Sequence, residues 1–139
     1  MGFRNVVGMV GLGLVSALAA CGSDSSTLPT GNVAAGMAAV TTRNCKTCHA
    51  ADLAGSADVI PGSMVYSSNI TPDNATGIGS WTDAALDAVL RQGKDDAGRQ
   101  VCAPMPIYNT MTAQESADII AYLRSVPPVT REVTESECP

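Results

Sequence analysis

Cys45-Lys46-Thr47-Cys48-His49 is the stretch on which the reading of this 139-residue chain turns. A C-x-x-C-H pentad is the attachment sequence for c-type haem. On a helical turn, two intervening residues bring both sulfurs to one edge of a porphyrin and point the next side chain at its centre. The thiols add to the vinyl groups, and the imidazole lies under the iron as proximal ligand. C-x-x-C by itself also fits a dithiol redox pair or half of a zinc site. Zinc requires a second ligand pair, and the chain has a single histidine and no second C-x-x-C. A dithiol pair is expected among alternating strands and helices, which this sequence does not show. Haem is the reading that remains.

Upstream of the pentad, residues 1–20 read as an export signal: Arg4 supplies a positive start and Val6 to Ala20 form an apolar run. The run is too short and too glycine-rich to be a comfortable membrane span of ~20 residues. Leu18-Ala19-Ala20-Cys21 resembles a bacterial lipobox, which predicts lipidation of Cys21 and anchoring to a membrane without crossing it. Gly22, at a position where aspartate favours inner-membrane retention, leans toward the outer membrane. Residues 21–30 (CGSDSSTLPT) read as a flexible tether with a reach of about 18 Å. Residues 31–139 then form one domain.

That domain contains no phenylalanine, one tryptophan (Trp81) and three tyrosines (Tyr66, Tyr108, Tyr122), a thin supply of large apolar groups that a buried porphyrin would supplement. Past residue 20 there are seven basic side chains against thirteen acidic ones, which argues against a nucleic-acid partner. Asn32 caps an expected first helix with Val33, Gly36, Met37 and Val40 at helical spacing, and Gly36 allows another helix to come close. Asp52 to Gly79 is rich in breakers and is expected to wrap the haem edge as a long loop. Thr82 to Gln92 reads as a second long helix, with Leu86, Val89 and Leu90 on one face and Gly93 ending it. Thr112-Ala113-Gln114-Glu115 fits a capping box for a last helix stopped by Pro127-Pro128. Tyr122 on that helix is expected to meet Gly36.

A six-coordinate haem iron needs a second axial ligand, and no second histidine exists. Met/His coordination is the usual arrangement in this situation. Met37, Met64, Met105 and Met111 are available. Met105 is preferred, because Pro104 and Pro106 on either side stiffen its loop. Met111 and Met64 stay open as alternatives.

Taken together, several stretches resemble the class I cytochrome c domains of the cytochrome subunits of membrane-bound alcohol, aldehyde and sugar-acid dehydrogenases. They are Gly36, the pentad, Ser68-Asn69-Ile70-Thr71-Pro72-Asp73, Thr76-Gly77-Ile78-Gly79-Ser80-Trp81-Thr82-Asp83, Arg91-Gln92-Gly93, Pro104-Met105-Pro106 and Ala121-Tyr122-Leu123-Arg124-Ser125-Val126-Pro127-Pro128-Val129. The resemblance implies an all-α fold, a small class I cytochrome c fold of three to five helices around one covalent haem c. His49 and Met105 would be axial, and Asn69 and Ile70 would lie along the haem. Trp81 and Arg91 would approach the propionates. Those subunits usually carry three haem motifs, whereas this chain has one.

Of five cysteines, Cys45 and Cys48 are assigned to haem and Cys21 to lipid, which leaves Cys102 and Cys138 for a disulfide in an oxidising compartment. The expected function is one-electron transfer in the bacterial cell envelope, on the periplasmic side. The protein is read as not an enzyme, with a dehydrogenase, an oxidase or another cytochrome as redox partner. The competing reading is a haem-based gas sensor or peroxidase-like enzyme with a labile sixth ligand.

Overall fold

The computed structural model describes residues 27–136 and Cys138. The export signal, the lipobox and Cys21 lie outside the described residues. Four helices are present among them: α1 (Val33–Thr42), α2 (Cys45–His49), α3 (Asp83–Gln92) and α4 (Ala113–Ser125). Among the described residues there are no strands, only two isolated bridges, Val59 with Tyr66 and Lys94 with Gln100. No described helix is long and apolar enough to cross a membrane.

The helix starts follow local chemistry. Asn32, Thr82 and Thr112 each accept a bond from the backbone N–H three residues on, at 2.9, 3.1 and 3.1 Å, satisfying a donor that the helix leaves unpaired. Gly93 closes α3 in the left-handed conformation (φ 68°). The expected capping box at α4 is only half made. Glu115 turns its carboxylate to Arg43 instead, and the guanidinium donates to both oxygens at 2.7 and 2.8 Å.

α1 lies across α4, and α3 packs on α4 from another side. The crossing depends on glycine: a Cβ on Gly36 would sit on the Asp118 carbonyl oxygen and press on Tyr122, and one on Gly31 would strike the Ala117 carbonyl. Close approach narrows the buried stripe of α1 to Gly36 and Val40, while Val33 and Met37 stay about half exposed on its shoulders. The four-residue face expected for α1 is therefore a two-residue seam. Val40, Leu53, Ile78, Leu86, Leu90, Met111, Ile119, Ile120 and Leu123 form the core. Leu28 packs against this core, and the Thr30 carbonyl accepts a bond from Gln114 at 3.0 Å. Leu28 and Thr30, inside the segment expected to be tether, thus contact the packed body.

Candidate haem-binding site

The pentad is the five-residue helix α2, and the chain bends sharply on both sides of it. Asn44 enters in the left-handed region (φ 56°), which asparagine tolerates, and Ala50 leaves at φ 65°, ψ 167°. The latter is a region normally reserved for glycine, where a side chain costs about 1–3 kcal/mol. Leu53, also left-handed (φ 64°), is buried in the core and so fixes this turn from below. Strain is concentrated directly after His49.

Within α2, the half-buried His49 has Nδ1 2.8 Å from the Ser68 carbonyl oxygen. A carbonyl only accepts, so the ring proton is on Nδ1 and the Nε2 lone pair is free for a metal. Burial holds this imidazole below its usual range, and the Ser68 bond pulls the other way. Burial pushes the Cys45 thiol up, offset in part by its own backbone and by Arg43. Cys45 and Cys48 are both free thiols, whereas Cys102 and Cys138 are joined by a disulfide with Cα atoms 5.1 Å apart.

The four methionines are now distinguishable. Met111 is enclosed in the core, Met37 is on an exposed shoulder of α1, and Met64 is 80% exposed. Met105 is half-buried in an irregular turn following a cis Ala103–Pro104 bond, with its N–H donating to the Cys102 carbonyl at 3.1 Å. Met64 and Pro104 both border a shallow cleft of about 300 Å³. The Met105 turn meets the pentad through two residues that the sequence reading did not single out. Arg43, two positions before Cys45, stacks 4.6 Å over the ring of Tyr108, three positions after Met105. Its grip on Glu115 ties the same point to the start of α4. An arginine beside an attachment motif carries no pattern that announces such a bond.

Arg91 and Trp81 stand at the two ends of α3. Arg91 reaches Asp87 at 3.3 Å, but its Nε is buried with no acceptor among the described residues. Trp81 packs partly buried against the core, and Arg124 of α4 donates to its backbone carbonyl and to that of Ile78, the latter at 2.7 Å. Arg124, also unforeseen as a site residue, fixes the Trp81 corner. Ile70 packs against the core from the loop. Asn69, expected along the haem, is tied within the protein. Its Nδ2 donates to Thr76 Oγ1 (2.9 Å) and the Val129 carbonyl (2.7 Å), and its Oδ1 accepts from Thr71 N–H and Oγ1. Its amide is used up inside the protein, so it acts as the knot of the loop.

These residues fit a haem. The donor set offers two unpaired thiols and an imidazole with a free Nε2, and the orphaned Arg91 N–H is what a propionate would satisfy.

Comparison with known proteins agrees with this geometry. A nicotinate dehydrogenase subunit of Pseudomonas putida is 35% identical over 102 residues, covering 68% of this chain and 8% of that protein. The cytochrome c subunit of the quinone alcohol dehydrogenase of Komagataeibacter europaeus is 35% identical over 94 residues, 62% of this chain and 20% of that protein. A diheme cytochrome c-type protein of Cereibacter sphaeroides is 35% identical over 100 residues, 63% of this chain and 33% of that protein. The chain thus spans a third or less of the length of each of these relatives. The family model described as cytochrome c matches residues 33–127, from the first residue of α1 to just beyond α4. With its attachment turn, its oriented imidazole and its crossed first and last helices inside that match, the chain belongs to the cytochrome c family.

Proposed function

We propose that this protein carries single electrons on one haem c, attached through Cys45 and Cys48 and ligated by His49 and Met105. The observation that carries the reading is the His49 imidazole, which sits in a C-x-x-C-H turn with Nδ1 committed to Ser68 and Nε2 free. When bound, haem c supplies an iron that accepts one electron and gives it up again. Cys45, Cys48, His49 and Met105 would hold the group, while the chain holds the His49 proton on Nδ1 and would offer the Arg91 Nε–H and the Trp81 indole N–H toward its carboxylates. With His49 and Met105 both as ligands, no position would be left for a substrate, which favours electron transfer over catalysis.

The names of the relatives favour a dehydrogenase as redox partner, with an oxidase or another cytochrome as the alternatives. Lipidation at Cys21 would keep the domain on the periplasmic side of a bacterial membrane, the outer membrane being favoured by Gly22. Denaturing mass spectrometry of the exported protein tests the attachment. The polypeptide is expected to carry the mass of one haem, and Cys45→Ser with Cys48→Ser to remove it. A polypeptide without covalent porphyrin would overturn the proposal.

A further inference from the structure

The segment after α4 has no regular structure, yet it is bolted along its length. Val129 donates its N–H to Thr71 Oγ1 (3.1 Å), and its carbonyl accepts from Asn69. The Arg131 guanidinium donates to both Asp52 oxygens (3.1 and 2.7 Å) and to the Gly55 carbonyl (3.0 Å). Gly55 in turn donates its N–H to the His49 carbonyl at 3.0 Å. Glu135 pairs with Arg99 at 2.8 Å. Ser136 Oγ accepts from the Tyr66 N–H (2.8 Å) and donates to the Tyr66 carbonyl (3.3 Å), two residues before the Ser68 that orients His49. The segment ends in the Cys138–Cys102 disulfide, three residues before Met105.

The turn that carries Met105 has little else to fix it. Ala103, Pro104, Pro106 and Ile107 are all exposed, so apolar burial does little to hold it in place. Its ends are tied to α3 through Val101 N–H to Gly93 O and Tyr108 N–H to Leu90 O, both 2.9 Å. Between those ties the only backbone bond among the described residues is Met105 N–H to Cys102 O, so Cys102 is the base on which Met105 stands.

We propose that residues 126–136 together with Cys138 form a strap joining the His49 side of the site to the Met105 side, and that Cys138 is a positioning residue for the sixth ligand. The inference rests on Met105 being that ligand. Without the bridge, the base of the turn is free to swing and the population with Met105 withdrawn grows. An external ligand binds only that population, so its apparent affinity rises in proportion.

The test uses the exported holoprotein and its Cys138→Ser, Arg131→Gln and Met105→Ala variants. Three quantities are read: the methionine-to-iron charge-transfer band of the ferric form, the midpoint potential, and the affinity of the ascorbate-reduced form for carbon monoxide. Cys138→Ser is expected to weaken the band, lower the potential and raise carbon monoxide affinity by about tenfold. Arg131→Gln, which cuts the strap from the histidine side and leaves every cysteine in place, is expected to move all three in the same direction by less. Should Cys138→Ser not mature, dithiol reduction of the ascorbate-reduced parent is expected to give the same gain in carbon monoxide affinity. Parent-like values after the bridge is removed or reduced, while Met105→Ala abolishes the band, would overturn the strap and leave Met105 ligation standing. A band unaffected by Met105→Ala would overturn both.

Discussion

Ala50 holds the sharpest residue-scale conflict in the molecule: its φ 65°, ψ 167° belong to glycine, yet a methyl group stands there. The strain persists because both sides are fixed, by the Ser68 bond to His49 and by buried Leu53. Ala50→Gly is therefore expected to stabilise the holoprotein by about 1 kcal/mol, since released strain exceeds the added chain entropy. Thermal unfolding should show a melting temperature higher by roughly 4–8 °C, and a lower one would contradict the strained geometry. At this scale the helical turn that carries His49, Cys45 and Cys48 was legible, because the C-x-x-C-H spacing is itself helical. The partners of Asn69 and Arg43 were not. A polar residue's type says that it needs partners, while the identity of those partners, here Val129 and Glu115, is decided by chain segments 60 and 72 residues away.

The helices show where sequence reading succeeds and where it stops. Caps are local, so Asn32, Thr82, Gly93 and Thr112 act as their residue types and positions predict. Faces depend on the partner: the glycine-mediated approach of α1 to α4 leaves Val33 and Met37 outside the seam. Leu28 also packs on the core, a contact that no local pattern announces. The crossing makes a direct prediction. In Gly36→Ala the new Cβ meets the rigid Asp118 carbonyl, so the helices must separate. Destabilisation of about 2–3 kcal/mol is expected in chemical denaturation. An unchanged midpoint would mean that the seam is looser than the structure describes.

Over the whole molecule, all five arginines in the described residues are paired with carboxylates, at Glu115, Asp87, Asp95 with Glu135, Asp83 and Asp52. Lys46 and Lys94 carry no ion pair among the described residues. The full sequence carries a net charge of −5. The pairs also set the acid limit. Bonds to Arg43 hold Glu115 below its usual range, bonds to Arg131 do the same for Asp52, and bonds to Thr76 and Thr130 for Asp73. Each carboxylate has a depressed folded-state pKa, so its contribution is present above its unfolded value near 4 and is lost as pH falls through the folded value. Melting temperature should hold from pH 7 to about 5 and fall below about 4.5, with a shallower fall in Glu115→Gln. The most direct measurement on the molecule is the absorption spectrum of the periplasm-matured protein, oxidised and reduced, with and without carbon monoxide, beside that of Met105→Ala. Electron carriage on a His49/Met105 haem predicts a low-spin spectrum with a methionine-to-iron charge-transfer band, indifferent to carbon monoxide and lost in the variant. A high-spin parent that binds carbon monoxide readily would contradict it.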